Sequence, residues 1–249
     1  MKAFLLAAGN GTRLRPLTDT VPKCLLPIRG VPILQIWLQA CERFRISEIL
    51  INAHAHAELV RDFVRENANG IKVRVVEEPE LLGSAGTLRA HRDWVADEEC
   101  FWVFYADVLV RVDLRKMLEL HQRQKPVATL GVYPVRDPAR CGIVTVNKSG
   151  VVTEFVEKPS NPASNLAFSG VMIGTPELFN AIPSVIPADI GFHVLPRLGG
   201  RMLAFPITDY LIDIGTMENY HTAQATWTGP HESSAVVRNR RPVRRCTPA

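Results

Sequence analysis

A chain of 249 residues with 47% hydrophobic and 22% charged residues has the size and balance of one large globular domain, or of one domain with a small annex. No run approaches the roughly 18 apolar residues of a membrane span, and the apolar stretch after Lys2 stops at Ala8, too short for a secretory signal, so a cytoplasmic protein with no membrane partner is expected. The formal charge of +4 sits at the end of the chain, where five arginines from Gly229 onward face one glutamate; the preceding 228 residues are neutral, which removes any electrostatic case for nucleic-acid binding.

The first predicted strand covers residues 2–8, a near-continuous apolar run ending at Gly9, as in a buried parallel strand. A long polar loop follows. Residues 32–44 then repeat apolar side chains (Ile33, Ile36, Trp37, Ala40, Cys41, Phe44) at helical spacing behind Pro32. Strands are expected at 48–53, 71–76, 100–106 and 127–133, with helices at 58–66, 84–94 and 113–123, the last capped by Asp113. Repeated strand–helix–strand units build a doubly wound α/β sheet with helices on both faces. Ligands bind such sheets beyond the carboxyl ends of the strands, where Gly9 and Asp107 both fall.

After Pro134 the texture changes. Residues 142–146 and 151–156 flank the turn Asn147-Lys148-Ser149-Gly150 and read as a β-hairpin. A strand at 169–173, helices at 176–182 and 189–198, a strand at 210–214 and a helix at 217–227 complete the pattern. Residues 1–228 therefore read as one domain, divided near residue 134. Residues 229–249, rich in proline and arginine, read as a basic disordered tail, solvated or in contact with an anionic partner or another subunit. The five cysteines (Cys24, Cys41, Cys100, Cys141, Cys246) are scattered and form no C-x-x-C, which fits a reducing compartment and no zinc site.

Chemistry concentrates in the loop Gly9-Asn10-Gly11-Thr12-Arg13-Leu14-Arg15-Pro16-Leu17-Thr18, with Pro22-Lys23 beyond it. Two glycines let backbone approach a ligand, and successive N–H groups can wrap phosphate oxygens. A dinucleotide fold would want glycine at position 14, which is Leu14, and an immediate helix, which is absent. No G-x-x-x-x-G-K-[ST] occurs. Arg13, Arg15 and Lys23 instead supply enough positive charge for a triphosphate.

GNGTRLRPLT followed by PK closely resembles the G-x-G-T-R-L-x-P-L-T…P-K motif of the sugar-1-phosphate nucleotidyltransferases, and the resemblance runs over about residues 1–225 in several blocks. It implies a mixed, mainly parallel Rossmann-like sheet with a small β-rich acceptor-binding part at 135–228, beside a nucleotide-binding part at 1–134. The first block would give Ala8, Gly9, Gly11, Thr12, Arg13 and Lys23 to the nucleotide. Glu77-Glu78-Pro79 and Leu82-Gly83-Ser84-Ala85-Gly86-Thr87 look like the family's E-x-P-L-G-T-A-G segment, so Glu78, Gly83, Ser84, Ala85 and Gly86 would line the base and ribose. Asp107 ends an apolar strand, a costly place for a carboxylate without a partner, and Asp213 lies in an Asp-Ile-Gly-Thr block. The matching family residues bind Mg²⁺, though Asp213 could also cap the helix that follows. In Phe155-Val156-Glu157-Lys158-Pro159 the resemblance implies that Lys158 grips the sugar phosphate and Glu157 the sugar hydroxyls, with Gly142, Asn165 and Gly170 beside them.

Phe168 departs from the guanylyltransferase pattern at a polar position and is similar to N-acetylmuramate-1-phosphate uridylyltransferases; His193 stands where that pattern has aspartate. No left-handed β-helix sequence follows the core. His54 and His56 lack ligand spacing and read as structural. The expected activity joins an NTP, GTP foremost, to a sugar 1-phosphate of the mannose or heptose type. Uridylyl transfer to N-acetylmuramate- or glucose-1-phosphate, and a non-catalytic sugar-nucleotide-binding subunit, are the alternatives. A nicotinamide-dependent oxidoreductase is disfavoured by Leu14. Catalysis would rest on Arg13, Lys23, Asp107, Lys158 and Asp213. Homo-oligomer formation stays open.

Overall fold

A computed structural model describes residues 1–68 and 70–230. The tail beyond Pro230 and Cys246 lie outside the described residues. The first half contains β1 (Lys2–Leu6), the short β2 (Pro27–Ile28) and β3 (Val31–Pro32), α1 (Ile33–Arg43), β4 (Glu48–Ala53) and α2 (Ala57–Asn67). It continues through β5 (Lys72–Glu77), α3 (Ser84–Ala90), β6 (Phe101–Tyr105), β7 (Val108–Val110), α4 (Leu114–Gln124) and β8 (Ala128–Pro134). The remainder contains β9 (Gly142–Val146), β10 (Val151–Glu157), β11 (Leu166–Gly174), β12 (Met202–Pro206), β13 (Leu211–Asp213) and α5 (Met217–Thr226).

One nine-stranded mixed sheet runs in the order β5-β4-β1-β6-β11-β8-β12-β10-β9. β1 lies parallel between β4 and β6, with Ala3 opposite both Ile49 and Trp102. Its residues alternate between two cores: Ala3 and Leu5 pack on one face with Trp37 and Trp102, Phe4 on the other with Leu50 and Val103. Burial of both faces is why the strand reads as continuous apolar sequence rather than as an alternation.

β11 inserts antiparallel between β6 and β8, so the chain on either side of residue 134 shares one sheet. β12 then joins β8 in parallel, Met202 opposite Ala128. The sequence reading lacks β12, a five-residue apolar run closed by Pro206, and lacks β7, which follows Asp107 with no turn residue to announce it. Asp113 caps α4 as expected, accepting from the N–H of Arg115 at 3.1 Å and of Lys116 at 3.4 Å. Two expected helices are tighter or wider turns instead. Residues 176–182 form a 3₁₀ turn, Pro176–Ala181. The stretch 189–198 divides into a wide π-type turn, Ile190–Val194, and a 3₁₀ turn, Leu195–Leu198, in which Pro196 has no N–H to continue an α-helical ladder.

Outside the main sheet, β7 and β13 form an antiparallel ribbon with Val108 opposite Asp213. The Ile214 N–H closes it by donating to the Asp107 carbonyl at 3.0 Å. This pairing brings two segments distant in sequence to the carboxyl end of β6, beside the loop that leaves β1.

Candidate active site

The loop after β1 is shaped by its own side chains. Gly11 adopts φ +62°, and a Cβ there would stand 2.8 Å from the Thr18 methyl, whose hydroxyl donates to the Gly11 carbonyl at 2.8 Å. Thr12 and Arg13 open a 3₁₀ turn that buries Leu14 completely. Leu14 is thus a core anchor for the loop where a dinucleotide fold would need glycine. Ala8 is buried, whereas Gly9 is exposed and a Cβ on it would meet nothing within 4 Å. Of the six motif glycines (Gly9, Gly11, Gly83, Gly86, Gly142, Gly170), Gly9 alone leaves open space for a ligand.

Four charged side chains meet beside that opening. Lys23 Nζ lies 2.5 Å from Asp107 Oδ2, with the lysine side chain 10% exposed. Asp213 stands next to Asp107 through the β7–β13 pairing, and Arg13 reaches the same place: a Cβ on Gly215 would be 2.9 Å from both Arg13 Nη2 and Asp213 Oδ1. The Asp213 carboxylate accepts from the Gly215 N–H at 2.6 Å. Thr216, not Asp213, caps α5, so the competing cap reading of Asp213 falls away. Part of Asp213 reaches solvent, but its carboxyl is crowded by neighbours. That desolvation, followed by the Asp107 charge, raises its pKa against the opposing pull of Lys23, the Gly215 N–H and Arg13.

The acceptor-side residues gather along the same cleft. Lys158 follows β10 with φ +49°, its N–H donating to the Cys141 carbonyl at 2.9 Å and its Nζ 5.4 Å from the centre of the exposed Phe192 ring. Glu157 is wedged beside two glycines. A Cβ on Gly142 would lie 2.5 Å from Glu157 Oε2, and one on Gly191 would collide with the same oxygen. Burial, then the neighbouring Asp189 charge, raises the Glu157 pKa while Lys158 opposes. Tyr105 lies between the two groups of charges: burial, then Asp189, raises its pKa, with further contributions from Glu157 and Asp107 and an opposing hydrogen bond to Ser84. The Cys141 thiol is raised by burial and then by Asp213 and Glu157. Tyr105 and Cys141 therefore feel charges from both the Asp107–Asp213 end and the Glu157 end.

Several candidate contact residues serve the scaffold instead. Glu78 is 3% exposed and does not face an open cleft. Its carboxylate accepts from Asn52 Nδ2 at 2.9 Å, the Thr87 hydroxyl at 2.5 Å and the Leu82 N–H at 3.1 Å. Asn52 in turn accepts from the Ala7 N–H at 2.7 Å, tying the glycine loop to the segment 82–87. The first N–H groups of α3 are also taken: Ala85 and Gly86 both donate to the Ala188 carbonyl, at 2.9 and 3.1 Å. Gly83, at φ +78°, has the Ala188 backbone where a side chain would be. The Ser84 hydroxyl donates to Asp189 Oδ2 at 2.9 Å. Small residues at the start of α3 thus admit the Ala188 backbone on one side, while Gly83 and Ser84 stay partly exposed on the other. Gly170 (φ +77°) is buried against Tyr105, 2.9 Å from a Cβ to the tyrosine Cβ. Asn165 is exposed, its carbonyl accepting from the Val135 N–H at 2.8 Å. The sequence reading missed Asn52, Tyr105, Asp189 and Phe192 as site residues; only Asn52, a polar residue inside an apolar strand, carried a visible signal. His54 is structural as expected, its Nδ1 2.7 Å from the Glu78 carbonyl.

The nucleotidyl transferase family profile matches residues 2–229. The chain belongs to the nucleotidyl transferase family. A mannose-1-phosphate guanylyltransferase catalytic subunit beta from Danio rerio is 32% identical over 233 residues, which are 91% of this chain and 64% of that protein. This nucleotidyl transferase chain thus spans less than two thirds of that relative's length. Among solved structures, a glucose-1-phosphate thymidylyltransferase from Bacillus anthracis, described as putative and in complex with a sucrose, superposes with TM-score 0.79 at 24% identity, covering 90% of this chain and 94% of that one. HddC from Yersinia pseudotuberculosis, complexed with GMP-PN, gives 0.76 at 24% identity, covering 91% and 99%. Both share the fold. Among the described residues no helix is long and apolar enough to cross a membrane.

Two tests follow from this geometry. Thr87→Val removes the hydroxyl that links Glu78 and Asn52 and leaves buried polar atoms unpaired. Urea unfolding should show a loss of about 1–3 kcal/mol. Asp213→Asn removes a charge that the fold disfavours, so the ligand-free variant should melt at a higher temperature than wild type at neutral pH. The gap should close as pH falls through the raised Asp213 pKa, where the wild-type side chain is neutral too; calorimetry across pH reads both.

Proposed function

We propose that this protein transfers a nucleoside monophosphate from an NTP, with GTP favoured, to a sugar 1-phosphate of the mannose or heptose type, releasing pyrophosphate. The observation that carries this is the cluster of Lys23, Arg13, Asp107 and Asp213 beside the open Gly9 edge, within electrostatic reach of the Glu157–Lys158 end. A phosphate oxygen of the acceptor attacks the α-phosphorus, and the bond from that phosphorus to the leaving pyrophosphate oxygen breaks. The attacking group is already an anion, so no general base is required. The difficulty lies in bringing two polyanions together and stabilising charge on the leaving group, which is a task for positioning and cations.

The donor set fits magnesium. Asp107 and Asp213 are hard oxygen ligands on neighbouring segments, and the Asp213 carboxylate is disfavoured first by desolvation and then by the Asp107 charge, a cost that a dication would offset. When bound, Mg²⁺ would supply charge neutralisation at the phosphates. Arg13 and Lys23 would hold the triphosphate, with the 1–134 part binding nucleotide. Lys158 would hold the acceptor phosphate over Phe192, and Glu157 its hydroxyls, within the 135–228 part. Ala8, Gly9, Gly11 and Thr12 would bring backbone to the phosphates, whereas Glu78 and residues 83–86 would act by shaping the base side of the cleft. Cytoplasmic supplies of NTP and sugar 1-phosphate suit a cytoplasmic location.

The guanylyltransferase name of the zebrafish relative and the GMP-PN complex of the Yersinia protein support the guanine preference. Phe168 supports a second reading, uridylyl transfer. Its ring is 5.8 Å from that of Tyr105 and 6.4 Å from that of Phe155, giving the acceptor side an aromatic wall. A matrix of four nucleotides against mannose-, heptose-, glucose- and N-acetylmuramate-1-phosphate, scored by pyrophosphate release, separates the readings. GTP with mannose- or heptose-1-phosphate is the expected maximum, and binding without turnover anywhere in the matrix would identify a regulatory subunit. Asp107→Asn should lower turnover roughly 10²–10³-fold in the best pair, and near wild-type turnover would remove the metal role.

A further inference from the structure

The segment 188–192 joins the two sides of the cleft through side-chain and backbone contacts that substrate binding itself does not require. On the nucleotide side, the Ala188 N–H donates to the Leu82 carbonyl at 2.8 Å, and the Ala188 carbonyl accepts from Ala85 and Gly86 at the start of α3. The Ser84 hydroxyl accepts from the Ile190 N–H at 2.8 Å and donates to Asp189 Oδ2 at 2.9 Å. On the acceptor side, Asp189 Oδ1 accepts from the Gly191 N–H at 2.8 Å and the Phe192 N–H at 3.1 Å. Those two bonds fix Gly191 against Glu157 and set the Phe192 ring beneath Lys158 Nζ. The Asp189 N–H donates to His193 Nδ1 at 2.9 Å, closing the turn from behind. One carboxylate therefore has one oxygen on Ser84 at the start of α3 and the other on the turn that carries Phe192 beneath Lys158.

We propose that Asp189 is a positioning residue that couples the two substrate sites, with the Ser84–Asp189 hydrogen bond as the link through which a nucleotide seated against the start of α3 orders the Phe192–Lys158 pair for the acceptor. The inference rests on the nucleotidyl-transfer reading and adds to it a thermodynamic connection between the sites. A packed connection of this kind transmits binding energy only if both ends move together. The contacts meet that condition: a shift of Ser84 pulls on Asp189, and the Gly191 and Phe192 N–H groups have the same carboxylate as their partner. Each site then tightens the other by the same factor, because coupling free energy is reciprocal.

Calorimetric titration measures that factor. Mannose 1-phosphate is titrated into the full-length protein with Mg²⁺, in the presence and absence of saturating guanosine 5′-(α,β-methylene)triphosphate, which cannot be turned over. Wild type should bind the sugar phosphate about tenfold tighter when the nucleotide is present, within the usual range for coupled sites. In Ser84→Ala and Asp189→Ala the ratio should fall below about twofold, whatever happens to either affinity alone. A residue with only a structural role would weaken both titrations and leave their ratio unchanged. If Asp189→Ala does not fold, Ser84→Ala decides by itself, since it removes the proposed side-chain link and keeps both backbone bonds to Asp189 and the Ala188 bonds to α3. A ratio near one in wild type, or a wild-type ratio in Ser84→Ala, overturns the coupling while leaving the reaction class standing. A wild type that binds neither probe overturns the functional reading itself.

Discussion

The pairing of β7 with β13 is the constraint on which the site depends. It places Asp107 and Asp213 side by side, an arrangement the ligand-free fold disfavours, and the neighbouring Lys23 and Arg13 offset only part of the cost. The ribbon itself is held by backbone bonds and by apolar residues such as Leu109 and Ile214, both buried in the main core. Hydrophobic burial thus holds in place an electrostatic arrangement that would not assemble alone. Sites built to bind cations and polyanions commonly have this character, and their preorganisation lowers the reorganisation needed when the substrates arrive. The four charges sum to zero when both acids are ionised, so neither an isolated dication nor an isolated anion meets a strong net field. On the proposed reading a metal–nucleotide complex, which brings both signs, would match the cluster as a unit.

The glycines divide into two physical classes. Gly9 faces open space. Gly11, Gly83, Gly142 and Gly170 each stand where a side chain would strike another part of the protein: Thr18, Ala188, Glu157 and Tyr105 respectively. A motif glycine reads the same in sequence whether a ligand or a neighbouring residue needs the room. The second class acts on function at one remove. Gly142 lets Glu157 fold back along the cleft wall, and Gly83 lets the 188–192 segment dock on α3.

Much of the fold was legible because its strands are buried on both faces. Residues 48–53 and the flanks of α1, α2 and α4 follow hydrophobic period and capping closely, as Asp113 illustrates. What escaped was what long-range pairing decides. β12 escaped although it is as long as β1, and the insertion of β11 between β6 and β8 leaves no local trace. The 189–198 stretch carries a capping aspartate and apolar spacing that suit an α-helix, yet Pro196 and the demands of Asp189 on three donors open it into wider and tighter turns. In the site, Lys23 and Asp107 were named from sequence and stand 2.5 Å apart, but Glu78 was named as a contact and is an internal strut. A buried acid and a ligand-facing acid differ only in what surrounds them, and that information is tertiary.

The same reasoning explains why the reaction is easier to read than the substrates. Phosphates are alike in every NTP and every sugar 1-phosphate, so the residues that handle them must carry fixed charges at fixed places, and charged residues at strand ends stand out in a sequence. Base and sugar are distinguished by walls. On the proposed acceptor side Phe168 packs edge to face on Tyr105, with the buried Phe155 behind it, and a change of residue there would alter shape and polarity without altering charge. Discrimination by an apolar wall is worth only about 1–3 kcal/mol per group, whereas a site that must hydrogen-bond a particular hydroxyl rejects its absence far more strongly. Phe168 offers a face rather than a hydrogen bond. On the proposed reading the selective polar contacts on this side would fall to Glu157 and the backbone around it, and the position of Glu157 is set by Gly142, Gly191 and the Asp189 turn that supports them.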